Sequence, residues 1–227
     1  MNLATLLFPN GLTGEPVQQL LQQAQQVCDH LPAATPGSQI AIACGHDRRA
    51  FAAALIGTWL KGHGAAIVEN SLRERIIPVL DRPPVALLLH DTESARSLQV
   101  PRLLASQPTP KDIAQLSDLT ASPLLTIHVQ TDDGALHWCS WNADELALAI
   151  DKCASQAANA QPPAPAAQTP GIVSSMFANT LAPLRLGKGL ASHAPIDARH
   201  FDIPGVPRTT TAHRELLDEV LANDDVT

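Results

Sequence analysis

His128, His137 and Cys139 fall within one stretch, TIHVQTDDGALHWCSW, and imidazole and thiolate are the commonest zinc ligands. His137 and Cys139 are two apart, so on a strand they share a face, with His128 on the partner strand. A zinc site needs three or four converging ligands, and the close pairs that usually supply them are missing. HWCSW therefore reads as half-buried sheet anchored by Trp138 or Trp141, and no metal ligand is assigned. Asp132 and Asp133 could do acid–base work or hold a cation, but beside Gly134 their ordinary role is to form a turn. RLGKGL offers Gly187 and Lys188 to a phosphate. A phosphate loop also needs a glycine where Ala182 stands and a hydroxyl where Gly189 stands, so a loop between packed elements is the better account. In CGHDRRAF, Gly45 is a single turn glycine and not a dinucleotide fingerprint. G-x-S-x-G is absent, and the serines and nine histidines suggest no triad. No catalytic residue is assigned, and the residues that would bind a cofactor are unknown.

The elements that would position these groups are easier to read. The chain has 227 residues, 45% hydrophobic and 16% charged, enough apolar material for a sizeable core. A formal charge of -7 and isolated basic pairs such as DRR and RER argue against nucleic-acid binding. Four cysteines without a CxxC pair argue for reduced thiols and a cytoplasmic location. The start, NLATLLFPNG, lacks the basic region of a secretory signal, and the longest apolar stretch, around Ala50 to Leu60, is too short to span a bilayer. No membrane insertion is expected.

Val17, Leu20, Leu21, Ala24 and Val27 recur at helical spacing behind Pro16. After TPGS, the segment GSQIAIACGHDRRAFAAALIGTWLKGHGAAIVEN, from Gly37 to Asn70, reads as strand, helix, strand. Asp47 is the expected cap of that helix. Phe51, Leu55, Ile56 and Trp59 form its inward face, and Gly62 and Gly64 its stop. SLRERIIPVLDR is a helix opened by Ser71, with Leu72, Ile76 and Val79 inward and Pro78 shortening or kinking it. AAIV is a short buried strand, VALLLHD a strongly apolar strand, and TPKDIAQLSDL a short helix. PLLTIHVQTDDGALHWCSW is a hairpin turning at DDG. NADELALAIDKCASQA is a helix capped by Asn142, with Asp144 and Glu145 in its first turn. The alternation predicts an α/β fold, a mostly parallel sheet flanked by helices. The expected organisation is an α/β subdomain over 1–158, a Pro/Ala-rich linker over 159–170, and a loosely specified segment over 171–227. Within that last segment, SSMFANTLAPLRLGKGL is a helix or turn-helix and AHRELLDEVLA a final helix.

The stretch from Gly37 to Asn70 resembles the N-terminal part of adenylate-forming enzymes, the acyl- and aryl-CoA synthetase and AMP-ligase superfamily. Gly37, Phe51, Trp59, Gly64 and Ala65 match its order of strand, polar turn, helix and strand. SLRERIIPVL and VALLLHD match the following helix and strand, and LAPLRLG, from Leu181 to Gly187, matches half of a later motif. The likeness is strongest to the compact AMP-ligases of aryl polyene and xanthomonadin-type clusters. It implies the N-terminal subdomain fold of that superfamily, and ATP and AMP as the family's ligands.

The working residues depart from the family. Its hydroxyl- and glycine-rich phosphate loop, ending in Pro-Lys, should follow SPLLTIHV. QTDDGALHWCSW stands there, with Thr131 and Gly134 as weak echoes and no lysine. The resemblance covers most of this chain but about the first half of a family member, before the ribose-binding Asp and the lid Lys. No cofactor is therefore expected. A degenerate, non-catalytic homologue is the first expectation, partnering an acyl carrier protein or an active ligase in lipid or polyene synthesis. One component of a split ligase, or an unrelated small-molecule-binding α/β domain, are the alternatives. Half of a two-part scaffold would expose apolar surface, so self-association or a heteromeric partner is also expected.

Overall fold

The computed structural model describes residues 1–9, 11, 15–44, 47–68, 73–81, 85–91, 102–104, 119–130, 136–159, 173, 176–188, 190 and 201–206. The helices expected in TPKDIAQLSDL and AHRELLDEVLA, the opening of the helix at Ser71 and Leu72, the DDG turn and the Pro/Ala-rich linker lie outside these residues, apart from Leu119 and Asn159 at their borders.

The elements are α1 (Leu3–Leu7), α2 (Glu15–His30), β1 (Gln39–Ala43), α3 (Arg48–Leu60), β2 (Gly64–Ile67), α4 (Arg73–Leu80), β3 (Val85–His90), β4 (Arg102–Leu104), β5 (Leu125–Gln130), β6 (Leu136–Trp141) and α5 (Ala143–Asn159). A π-helical segment (Phe177–Leu181) then runs into α6 (Ala182–Arg185). Six strands form one sheet in the order β4-β3-β1-β2-β5-β6. Pairing is parallel except between β5 and β6, which are antiparallel as the hairpin reading requires.

Strand β1 lies at the centre and all five of its residues are buried. The chain leaves it to one side through α3 to reach β2, then returns past it through α4 to reach β3. Right-handed crossovers in opposite directions must lie on opposite faces of the sheet. Accordingly Ile40, Ile42, Ala65, Ile67, Leu125 and Ile127 share a core with α2, α3 and α5. Ala41, Ala43, Ala66 and Leu88 pack instead with Ile76 and Val79 of α4.

Capping is as the residue types demand. The Asp47 carboxylate accepts from the Arg49 amide at 2.7 Å. Asn142 Oδ1 accepts from the amides of Asp144 and Glu145, while Glu145 accepts from the Asn142 amide at 2.9 Å, a reciprocal capping box. Two elements have no counterpart in the sequence reading. Helix α1 is capped by Asn2, which accepts from the Thr5 amide, and β4 is a three-residue edge strand beside β3. Neither is long enough to carry a period.

Helix α3 departs from the one-sided face expected of it. Every residue from Ala50 to Trp59 is buried, because α2 covers the side turned away from the sheet. The two helices meet at Gly57, where an added Cβ would lie 2.5 Å from the Ala24 carbonyl oxygen and 2.7 Å from Val27 Cβ. At the far end, Trp59 Nε1 donates to the Leu124 carbonyl at 2.9 Å and ties α3 to the start of β5. Gly57→Ala should gain about 1 kcal/mol in helix propensity and lose about 1–3 kcal/mol to overpacking. A lower urea midpoint than wild type is the expected outcome. An unchanged or higher midpoint would mean that α2 moves aside without cost.

Candidate functional site

In open α/β sheets, ligands gather beyond the carboxyl ends of the strands, where the crossovers part to opposite faces. Here that place is the end of β1 beside the end of β3, the site of Cys44, Asp47 and Asp91. Asp47 caps α3, and its own amide donates to Asp91 Oδ2 at 3.4 Å. The amino end of α3, where a nucleotide fold would hold phosphate, thus faces two carboxylates of the same chain. Arg49 turns away from it. Its Nε donates to Gln23 at 2.9 Å and its terminal nitrogen to Gln19 at 3.0 Å, both on α2. The Cys44 thiol is buried and pushed far up, first by burial and then by Asp91 and Asp47, so it is a neutral group and a poor nucleophile. Gly45 lies outside the described residues.

The hairpin separates the groups that the sequence brought close. His128 is opposite Trp138, Val129 opposite His137, and Ile127 opposite Cys139. Facing partners share a side of the sheet and neighbours alternate, so His128 lies on one face while His137 and Cys139 lie on the other. The His128 ring instead stacks on Trp138, with centroids 4.3 Å apart and planes 9° from parallel. Among the described residues no three His, Cys, Asp or Glu side chains are grouped to hold a metal ion. Of the two tryptophans, Trp141 is the anchor. It is 1% exposed, meets Phe177 edge-on and donates from Nε1 to the Pro204 carbonyl at 2.7 Å, whereas Trp138 is 36% exposed. Thr131, Asp132, Asp133 and Gly134 lie outside the described residues.

Gly187 and Lys188 belong to a helix ending. Gly187, at φ 69°, donates its amide to the Leu184 carbonyl, and the Lys188 amide donates to Pro183 at 2.8 Å. These are the two bonds of a Schellman cap on α6. One arrangement that resembles catalytic machinery was invisible in the sequence. Ser38 Oγ and His63 Nδ1 lie 2.7 Å apart, both residues buried, and His63 Nε2 lies 3.0 Å from the Pro32 carbonyl. Ser38 also donates to the Thr35 carbonyl at 2.7 Å. With both ring nitrogens engaged and the hydroxyl turned into a loop, the pair latches the entrance of β1 to the exit of α3. Its members stand 25 residues apart, with no local signal linking them.

No family model and no curated protein matches the sequence. Solved structures do match. The N-terminal subdomain of Klebsiella oxytoca NpsA in complex with 3-hydroxybenzoyl-AMSN aligns with 90% of this chain and 50% of its own length, at TM-score 0.54 and 15% identity. A fatty acyl-adenylate ligase from L. pneumophila, in complex with acyl adenylate and pyrophosphate, aligns with 76% of this chain and 33% of its own, at TM-score 0.55 and 13% identity. A four-domain nonribosomal peptide synthetase bound to AMP and glycine aligns with 76% of this chain and 13% of its own, at TM-score 0.56 and 16% identity. The fold is that of the N-terminal subdomain of adenylate-forming enzymes. At these identities the likeness is one of fold, and the chain spans half or less of the length of each of these three structures.

The thiols offer a pH test of the packing. Burial is the largest cause raising each of the four, and Cys153 is pushed up to about 12. A thiol raised in the folded state binds a proton that the unfolded chain releases. Its contribution to stability is therefore complete below the ordinary value of 9.0 and is lost as pH climbs from there towards about 12. Unfolding free energy should fall by up to about 1.4 kcal/mol per pH unit for each such thiol above about pH 9. Urea titrations across that range should show the fall, and Cys153→Ala should make it shallower while the other raised thiols keep part of it. A flat wild-type profile would contradict the buried, neutral thiols.

Proposed function

We propose that this chain is a non-catalytic homologue of the adenylate-forming ligases. It serves as a scaffold or partner, for an acyl carrier protein or an active ligase, in fatty acid or aryl polyene type biosynthesis. The observation that carries this reading is the segment joining β5 to β6. Where the resembling family holds the phosphates of ATP on hydroxyls and backbone amides ending in Pro-Lys, this chain has QTDDGALHW. Two carboxylates in that loop oppose a triphosphate by about 1 kcal/mol per charge pair at 4 Å in water, and by several times that in a partly dry site. No lysine is present there to offset them. The carboxylates of Asp47 and Asp91 at the amino end of α3, with Arg49 drawn off to α2, support the same reading.

A second reading is favoured by the alignment lengths. The chain matches a third of the L. pneumophila ligase and half of the NpsA subdomain, as one component of a two-polypeptide ligase would. The two readings part in a single experiment. ATP–pyrophosphate exchange is measured with a panel of acyl and aryl acids, first on the chain alone and then with polypeptides co-purified from its source. No exchange under either condition is the outcome expected of the scaffold. Exchange that appears with a co-purified chain would establish the split ligase, and robust exchange by the isolated chain would sink both.

A further inference from the structure

Several of the described residues beyond the Pro/Ala-rich stretch are among the most buried in the molecule. Phe177 and Leu181 are fully enclosed, and Val173, Met176, Leu184 and Ile203 nearly so, all within the core that holds α2, α3 and α5. The π-helical segment packs on α3 and α5, and α6 packs on α1 and α5. Polar attachments come from several separate elements. Arg185 grips both oxygens of Asp151 on α5, at 2.7 and 2.9 Å, and also donates to the Thr5 and Leu6 carbonyls at the end of α1. Trp141 on β6 donates to Pro204, and an added Cβ on Gly205 would lie 2.8 Å from the same indole nitrogen. Lys152 meets Asp202 at 2.6 Å.

We propose that residues 176–188 and 201–206 are an intramolecular ligand of the surface built by α1, α3, α5 and β6, held there by these contacts and not by the covalent connection to the rest of the chain. The ligand this surface fits has a defined chemistry. It is a short helix presenting an aromatic and a branched aliphatic side chain four residues apart, as Phe177 and Leu181 are, followed four residues later by a guanidinium for Asp151 and the two carbonyls of α1. The proposal is independent of whether the chain is a scaffold or half of a ligase.

The test cuts the connection in the folded, full-length protein. A specific protease site is placed within residues 160–170, the purified chain is cleaved, and the product is passed through gel filtration at roughly micromolar concentration. A linker's effective concentration, on the order of millimolar, no longer assists there. The two fragments should co-elute at the volume of the uncut chain, and the amides of 177–182 and of Leu184 should keep their protection from hydrogen exchange. Separation of the fragments, precipitation on cutting, or loss of that protection would overturn the proposal. Arg185→Gln should leave the uncut chain folded and weaken retention after cutting by up to about tenfold, as expected when a partly exposed ion pair and two charge-assisted bonds to carbonyls are lost. Retention equal to that of the cut wild type would remove the clamp from the proposal's basis. If that variant does not fold uncut, Asp202→Asn probes the attachment through Lys152 in the same assay, with a smaller loss of retention expected and unchanged retention counting against it.

Discussion

The rest of the structure depends on the burial of β1. A strand with parallel neighbours on both sides and every side chain enclosed requires a layer on each face of the sheet. The two crossovers leaving its neighbourhood supply those layers, α3 on one face and α4 on the other. Isoleucines on one side of β1 and alanines on the other match the two layers. Ile40 and Ile42 meet a thick core backed by α2, while Ala41 and Ala43 let the eight-residue α4 lie close. Because α3 then has α2 behind it, it needs apolar or small residues all round, and at Gly57 there is no room even for a Cβ.

The same geometry accounts for the chemistry. A buried polar group costs free energy unless it is bonded, and several of the groups with catalytic potential are engaged in building the fold. Asp47 caps a helix, Ser38 and His63 close a loop, Gly187 and Lys188 end a helix, and Trp141 carries a hydrogen bond into the core. A row of side chains, Gln39 to Thr126 at 3.0 Å and Thr126 to Ser140 at 3.2 Å, runs across Gly64 from β1 to β6 and ties the hairpin to the parallel strands. Such a scaffold gives precise placement to whatever lies on its loops, and the loop between β5 and β6 is where the resembling family places its nucleotide.

Much of the fold was legible because its signals are local. The strand–helix–strand from Gly37 to Asn70, the Asp47 and Asn142 caps and the hairpin pairing all rest on residues within a few positions of one another. The resemblance to adenylate-forming enzymes rested on the same packing residues, and the match to their N-terminal subdomain fold is in accord with it. Less was legible where an element is short, as in β4 and α1, or where the neighbour comes from far along the chain. The apolar face of α3 was read as one-sided because nothing in its own sequence reveals that α2 lies behind it. His128, His137 and Cys139 lie close in sequence, and the alternation of a strand divides them between two faces.

The sequence by itself determined the longer elements, the Asp47 and Asn142 caps and the alternation of the hairpin strands, because these follow from bonds and periods spanning at most a few residues. Only the tertiary structure decided which of those faces meet. Arg185 reaching Asp151 and the end of α1, Trp59 reaching Leu124, and Ser38 reaching His63 join residues 25 to 180 positions apart. For Trp59, Ser38 and His63, which are buried, such contacts satisfy polar atoms that the burial of β1 and its neighbours shuts off from water.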